Sequence, residues 1–291
     1  MDTLVKNLLE NQTERDKIIK PNCQTRSGRS FLAFYLQTKF KQIINHDKKS
    51  DKQIIVQYKD DFLDNFTTRL RNRPNDKILI SLSGESASGK STICDTIQSS
   101  IKEFSLPVTV LSADNYFNDI SDLIKIHGNF DALRDAGYDV DSPDNFYLSQ
   151  LREDVLNLQK GRNILAPRYL VNGTGISEPK SLPVKTNKII VVEGMSSIYS
   201  EVSDIFDLKV YIELDDNVRK ERFLNRAKLR NQDMENALKH WKYIQNAGKK
   251  YVSCHKEECD IVINGECDLK YFSDMIKYIY LITNNFAQES I

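Results

Sequence analysis

One stretch of the chain, residues 84–91, constrains the fold more than any other. It has the sequence GESASGKS and lies between a strand-like apolar run, residues 77–82, and a helical pattern, residues 92–101. This arrangement matches the P-loop pattern G-x-x-x-x-G-K-[ST], in which backbone N–H groups and a helix N-terminus surround phosphate groups. The motif therefore predicts a site for a nucleoside triphosphate, either ATP or GTP. The residues predicted to bind the nucleotide are Gly84, Glu85, Ser86, Ala87, Ser88, Gly89, Lys90, Ser91 and Thr92.

Two side chains of this motif carry specific chemistry. Lys90 is predicted to reach the β and γ phosphates, where its ammonium group would act as a catalytic residue. The hydroxyl of Ser91 is predicted to bind the Mg²⁺ that accompanies the nucleotide.

Composition narrows the class of protein and its partners. The 291 residues are 40% apolar, which is enough for a full core in one large domain or in a domain with an appendage. Lysine plus arginine and aspartate plus glutamate both total 41, so no overall charge favours nucleic acid or an anionic membrane as partner. The start lacks the layout of a signal peptide, and no apolar run approaches the roughly 20 residues of a membrane span. Five scattered cysteines suit a reducing compartment, so we expect a cytoplasmic protein.

Residues 1–75 precede the nucleotide-binding core, and we predict that they form a helical N-terminal extension. Two helical repeats support this interpretation. The first repeat consists of Leu32, Leu36, Phe40 and Ile43, and the second of Ile55, Phe62, Phe66 and Leu70.

Residues 76–291 show the alternation of an α/β protein. Strand-like runs at residues 78–82, 108–111, 189–192, 208–212 and 260–263 alternate with helical patterns. This order predicts a parallel sheet flanked by helices. Ligands of such sheets bind at the carboxyl ends of the strands, so the residues that follow each run are the candidates for chemistry.

A long connection, residues 114–187, is predicted to hold a second substrate. A helix is expected to open at Ser142-Pro143-Asp144 and to bury one apolar stripe. That stripe consists of Leu148, Leu151, Val155 and Leu158. Residues 163–171 and 181–184 flank a glycine-containing turn at 172–175, which predicts a β-hairpin.

Two carboxylates follow predicted strands. Asp114 would lie opposite the P-loop, where a carboxylate can act as general base for a hydroxyl that attacks the γ-phosphate; a helix cap is the alternative role. Glu193 occupies the position of a Walker-B acid, which can reach the Mg²⁺ shell. Ser91 and Glu193 are therefore the predicted magnesium site, with Asp114 as a third candidate ligand.

Four arginines, Arg219, Arg222, Arg226 and Arg230, fall on one stripe of a predicted helix. Such a stripe can bind a triphosphate, although a solvated basic face is the usual explanation. We assign Arg222 and Arg230 to the nucleotide and Arg226 to catalysis. This helix begins a predicted lid, residues 222–248.

From about residue 77 to residue 271 the chain resembles the uridine kinase and phosphoribulokinase family of P-loop kinases. Besides the P-loop, the motifs of the resemblance are Asp114, the segment Asp139-Val140-Asp141-Ser142-Pro143-Asp144, Pro167-Arg168-Tyr169, Glu193-Gly194, the arginine-rich helix and the final strand with Asn264-Gly265. The resemblance implies a magnesium nucleotide as donor and a small hydroxylated acceptor, with the 5′-hydroxyl of uridine or cytidine as the first choice. The residues it implies for the acceptor are Asp114, Tyr116, Asp141, Tyr169 and Thr174.

Some positions depart from the family pattern. Phe117 replaces a tyrosine, Leu170 an aspartate and Thr174 a histidine, and residues 120–138 diverge as well. Acceptors of the phosphoribulokinase or pantothenate kinase type therefore remain open. A non-catalytic nucleotide-sensing module is the alternative from another class, and the sequence leaves the oligomeric state open, a homo-oligomer included.

Overall fold

The computed structural model describes Thr13 and residues 55–71, 77–102 and 108–267. The predicted helix that begins near Leu32 lies outside these residues. In chain order the helices and strands are β1 (Ile55–Tyr58), α1 (Phe62–Arg71), β2 (Ile78–Gly84), α2 (Lys90–Lys102), β3 (Val108–Ser112), α3 (Ser121–His127), α4 (Phe130–Asp135), α5 (Leu148–Gln159), β4 (Ile164–Tyr169), β5 (Ser177–Val184), β6 (Ile189–Glu193), α6 (Ser200–Ser203), β7 (Leu208–Glu213), α7 (Asp216–Leu229), α8 (Met234–Ala247) and β8 (Ile261–Asn264).

A six-stranded sheet in the order β1-β8-β7-β2-β6-β3 organises the fold. Apart from β1, the five other strands of this sheet pair in parallel, which confirms the predicted α/β class. Every residue of β2 is buried. A strand that is covered on both faces needs a nearly continuous apolar run rather than an alternating one. Residues 78–82 supply it apart from Ser81, whose hydroxyl donates to that of Ser197.

The segment before the P-loop contains a strand where the helical spacing predicts a helix. Ile55 belongs to the predicted helical repeat, but Ile55–Tyr58 is strand β1 and pairs antiparallel with β8. The helix of that repeat begins only at Phe62. Without β1, the edge of β8 would present unpaired backbone groups, and strand pairing prevails over the helical spacing. Arg69 of α1 fastens this segment to the core through an ion pair of 3.1 Å with Asp260.

The predicted start of the helix after Ser142 was also wrong. Pro143–Asn145 is a separate 3₁₀ turn, which Ser142 caps, and helix α5 begins at Leu148. Between them Phe146 forms an antiparallel bridge with Phe117 and is buried. This bridge requires an extended backbone at Phe146, which separates the 3₁₀ turn from helix α5. The apolar stripe itself is confirmed, since Leu148, Leu151, Val155 and Leu158 are all buried.

The predicted hairpin is present as the antiparallel pair β4–β5. Helices α7 and α8 follow β7 and pack together, with ring centroids of Phe223 and Trp241 5.8 Å apart. Within the described part of the chain, no helix has both the length and the apolar character that crossing a membrane requires.

Candidate active site

The P-loop joins β2 to α2 and has the close packing that its two glycines allow. A Cβ on Gly84, whose φ is 150°, would lie 2.6 Å from the carbonyl oxygen of Ile212. Ala87 in the middle of the loop has a positive φ of 64°, a strained conformation for a residue with a side chain. Strain of this kind is typical of loops that are held in shape for a ligand.

Lys90 lies at the start of α2 with its ammonium group over the loop. Its Nζ donates to the carbonyl oxygens of Gly84 at 2.8 Å and Glu85 at 3.0 Å. Burial lowers the pKa of Lys90, while the carboxylates of Asp114 and Glu193 oppose this effect. The P-loop lysine and both predicted acids therefore lie within electrostatic range of one another.

Asp114 follows β3 and lies against the backbone after β6. A Cβ on Gly194 would lie 2.9 Å from Oδ1 of Asp114, so the glycine is what allows this approach. The backbone N–H of Met195 donates to the Asp114 carboxylate. The side chain stays open to solvent in a cleft, and the surrounding protein atoms raise its pKa despite Lys90, which lowers it.

Glu193 ends β6, and Ser112 at the end of the neighbouring β3 donates a hydrogen bond to its carboxylate. Burial and the nearby Asp114 raise the pKa of Glu193. Two crowded carboxylates and the exposed hydroxyl of Ser91 are hard oxygen donors, and a divalent cation would relieve the repulsion between the acids, so the set fits Mg²⁺. No cluster of three or more His, Cys, Asp or Glu able to hold a metal occurs among the described residues, so phosphate oxygens and water would complete the coordination.

A cavity of about 160 Å³, here called the inner cavity, brings several predicted residues together. Lys90 and Ser86 of the P-loop line it together with Asp114 and Asp141. Its other lining residues are Phe117, Met195, His240, Ile244 and Ala247. One cavity thus contains the predicted phosphate-binding lysine, the predicted base and the predicted acceptor-binding carboxylate.

Tyr169 and Phe117 form one wall of this region. Their ring centroids are 5.2 Å apart, and the backbone N–H of Tyr169 donates to Asn115 at 3.3 Å. Burial raises the pKa of Tyr169 to about 12, with Arg134 opposing. Tyr169 therefore adjoins the inner cavity through Phe117.

Two residues predicted to bind the acceptor lie elsewhere. Tyr116 is fully buried in the core, and its hydroxyl donates to Asp154 of α5 at 2.8 Å. Its neighbour Phe117 lines the inner cavity instead, because the 3₁₀ turn Ala113–Tyr116 directs Tyr116 into the core. Thr174 is exposed in the turn between β4 and β5, and its hydroxyl donates to Asn172.

The arginine stripe on α7 divides into different environments. Arg219 is fully buried, where it forms ion pairs with Glu85 at 2.8 Å and Asp216 at 2.7 Å. Arg222 donates to the carbonyl oxygen of Gly265 at 3.3 Å, beside the P-loop. Arg226 and Arg230 are exposed at the surface. Partial desolvation of the guanidinium by neighbouring protein atoms, and the charge of Arg230, lower the pKa of Arg226.

Arg219 therefore holds the P-loop in place through Glu85, and the side chain of Glu85 points to this arginine. Replacing Arg219 by Met should lower the free energy of unfolding by about 3 kcal/mol, because the buried Glu85 carboxylate loses its partner. Urea unfolding measures this change. The double variant with Glu85→Gln should recover part of the loss, and equal losses in the single and double variants would contradict the pairing.

Several residues that line the inner cavity carried no sequence signal. His240 and Ile244 are spaced as one face of α8, which reads as ordinary packing. Their position near the P-loop results from the way α8 folds back over α7. Phe117 did carry a signal, as a departure from the family pattern next to Asp114.

The fold and this site are those of a P-loop kinase, and the chain belongs to the Phosphoribulokinase / Uridine kinase family, whose profile matches residues 79–269. The chain is 29% identical over 196 residues to the uridine kinase of Saccharomyces cerevisiae, a match covering 65% of this chain and 37% of the yeast protein. It is 28% identical over 211 residues to uridine-cytidine kinase A of Dictyostelium discoideum, covering 72% of this chain and 39% of that protein. The matched part therefore spans less than two fifths of these two relatives.

A shorter relative matches over most of its length. The uridine kinase of Clostridium novyi is 28% identical over 189 residues, which cover 64% of this chain and 86% of that protein. Among solved structures, a protein described as a fructose transport system kinase from Silicibacter sp. TM1040 superposes with a TM-score of 0.53 at 16% identity, covering 69% of this chain and 97% of that chain. The phosphoribulokinase of Rhodobacter spheroides gives 0.50 at 15% identity, covering 65% and 70%. These structural likenesses concern the fold.

Proposed function

We propose that this chain is a kinase that transfers the γ-phosphoryl group of ATP or GTP to a hydroxyl of a small molecule. The observation that carries the proposal is that Lys90, Asp114 and Asp141 line one cavity. Phosphoryl transfer requires a donor phosphate, a base and an acceptor hydroxyl in line with one another. A module that only senses nucleotide needs no base beside the P-loop lysine.

Each residue has a defined task in this proposal. Lys90 neutralises charge on the β and γ phosphates, and Asp114 orients the acceptor hydroxyl and takes its proton. Asp141 accepts hydrogen bonds from other hydroxyls of the acceptor. Residues 114–187 bind the acceptor, and residues 222–248 form a lid.

Magnesium belongs to the same proposal. When bound with the nucleotide, it supplies positive charge at the phosphates. Ser91 and Glu193 would hold it, with Asp114 as the third oxygen donor near the acceptor side.

The first choice of acceptor is uridine or cytidine, phosphorylated at the 5′-hydroxyl. The proposal is supported by the named activities of the relatives and by the position of Asp141 beside Asp114 in the inner cavity. One observation favours a second candidate, another small-metabolite kinase of the phosphoribulokinase or pantothenate kinase type. Thr174, where the family has a base-contacting histidine, lies in an exposed turn and does not line the inner cavity.

An acceptor panel tests the proposal directly. The protein is incubated with Mg-ATP or Mg-GTP and with uridine, cytidine, other nucleosides, pantothenate, ribulose 5-phosphate or glycerate, and release of the nucleoside diphosphate is measured. We expect release that depends on uridine or cytidine. Release of the nucleoside diphosphate with another acceptor alone would contradict uridine or cytidine as the acceptor, but it would still support the kinase proposal. Nucleotide binding without transfer to any acceptor would favour the nucleotide-sensing module.

Replacing Arg226 by Ala should lower kcat by roughly tenfold or more while changing the KM for nucleotide less. The reason is that an exposed arginine on the proposed lid can contact the transferring group chiefly in the transition state. Steady-state kinetics measures both constants. Lys228→Ala, an exposed cation on the same helix, is the matched control. An unchanged kcat in Arg226→Ala would mean that this arginine belongs to a solvated basic face and has no part in catalysis.

A further inference from the structure

Arg134 is a buried arginine within residues 120–138, one of the segments that depart from the family pattern. It lies on the short helix α4, whose surroundings have a small apolar core of their own. The core residues are Ile120, Ile124, Leu133 and Val140. The side chain of Arg134 is only 8% exposed, so its guanidinium is held in a fixed place.

The contacts of this guanidinium link the predicted acceptor carboxylate to the proposed lid. Its Nη2 lies 3.6 Å from Oδ2 of Asp141, and its Nη1 lies 3.6 Å from Oδ1 of Asp131. The ring of Tyr243, on α8, lies 5.5 Å from the guanidinium carbon. Tyr243 and its neighbour Lys239 also contact Asp135, the last residue of α4.

Two donor atoms of this arginine are unsatisfied. Nε and Nη1 are buried and have no hydrogen-bond partner among the described residues. Buried polar groups are satisfied in most proteins, since an unpaired donor costs stability, and exceptions of this kind often belong to functional sites. The rings of Phe130 and Tyr243 cover this guanidinium, at 5.9 Å and 5.5 Å from its central carbon, and Tyr243 belongs to the proposed lid.

Arg134 also lines a second cavity of about 300 Å³ between the α4 region and α8, here called the outer cavity. The outer cavity shares Asp141 and Ala247 with the inner cavity. Of the other charged residues that line it, Lys250 lies 2.9 Å from Asp139, and Asp141 is the partner of Arg134. Among the charged groups that line it, Arg134 is the one with unsatisfied donors.

We propose that Arg134 is a specificity-determining residue of the acceptor site, where it donates hydrogen bonds to a hydroxyl next to the one that Asp141 holds. The inference rests on the proposed kinase function. The partner group is an uncharged hydroxyl because Asp131 and Asp141 already balance the charge of the guanidinium and would repel a carboxylate or phosphate. A carboxylate that accepts and a guanidinium that donates together fit two vicinal hydroxyls, so the acceptor is an uncharged diol.

The test compares wild type with Arg134→Met on uridine, 2′-deoxyuridine and 3′-deoxyuridine. We expect the variant to raise the KM for uridine by about 10- to 100-fold, since a hydrogen bond to a charged group is lost. The KM for Mg-ATP should stay unchanged. For one of the two deoxynucleosides, wild type and variant should give the same KM, because the hydroxyl that Arg134 contacts is absent. Equal losses on all three nucleosides would assign Arg134 a structural role and overturn the inference.

Controls separate this result from misfolding and from failure of the kinase proposal. Arg69→Met, which removes an arginine paired with Asp260 outside both the acceptor-binding insert and the lid, should leave every KM unchanged. If Arg134→Met does not bind Mg-ATP, Arg134→Lys is used in its place. The KM values of this variant and of wild type for the deoxynucleosides are then compared in the same way. If the panel finds an uncharged acceptor other than a nucleoside, that acceptor and its deoxy forms replace uridine. Phosphorylation of an anionic acceptor would overturn the inference about Arg134 and leave the kinase proposal standing. If no acceptor is phosphorylated, both the inference and the kinase proposal are overturned.

Discussion

The Asp114→Asn variant is expected to lose about 10²- to 10⁴-fold in kcat and to bind Mg-ATP as wild type does. Asparagine keeps the size of the side chain and one oxygen acceptor, so the N–H of Met195 keeps its partner. It cannot take a proton from an attacking hydroxyl. The loss falls on turnover because Asp114 is the proposed base. Of the other groups that line the inner cavity and could take a proton, Asp141 is assigned to the acceptor's other hydroxyls, and the ring of His240 on α8 packs edge-on against Phe223.

The measurement is paired: calorimetric binding of Mg-ATP and steady-state phosphorylation of the best acceptor are determined on the same preparation. Asp122→Asn removes an exposed carboxylate from α3 and should retain full turnover. Full turnover of Asp114→Asn with normal binding of Mg-ATP would contradict the assignment of Asp114 as general base. A large increase in the Mg²⁺ concentration required for activity would instead identify Asp114 as a metal ligand.

The Lys90→Ala variant is expected to lose about 10²- to 10³-fold in kcat, the usual cost of removing a group that stabilises charge in the transition state. The ammonium group lies over the P-loop carbonyls, and phosphates in the loop would bring negative charge into the same place. Nucleotide binding should also weaken. The fold should survive, because the two hydrogen bonds of Lys90 go to backbone oxygens of its own loop and join no distant segment.

Steady-state kinetics and the midpoint of thermal unfolding together check this prediction. Lys125→Ala, which removes an exposed lysine from α3, is the matched control and should keep both values. Activity of Lys90→Ala within a few-fold of wild type would mean that this loop is not the donor site. A collapse of the thermal midpoint would assign Lys90 a structural role.

Much of the fold follows from local patterns in the chain. The strands of the parallel core coincide with largely apolar runs, because a strand covered on both faces buries nearly every side chain. The buried Ser81 and Ser83 of β2 are satisfied by hydrogen bonds to Ser197 and to the carbonyl oxygen of Val210. The exceptions depend on distant partners. β1 becomes a strand because β8 offers it an edge, and the helix after Ser142 starts late because Phe146 bridges to Phe117.

The candidate site divides in the same way. The P-loop is a continuous motif, and Asp114 and Glu193 follow strands, so their common position is set by the rule that parallel strands end at one edge. The positions of side chains that depend on tertiary packing could not be predicted from the sequence in the same way. Helical spacing places four arginines on one stripe, yet Arg219 turns into the core to pair with Glu85. Tyr116 likewise leaves the site for Asp154.

By itself the sequence determined the class of this protein, since a phosphate-binding loop, apolar strand runs and acids after strands are local features that need no distant partner to be recognised. Only the tertiary structure decided which side chains line the inner cavity. It brought α8 against α4, placed Arg134 beside Asp141 and divided the arginine stripe. The physical reason is that burial and pairing of a long polar side chain depend on groups contributed by remote segments, and spacing along one helix contains no information about them.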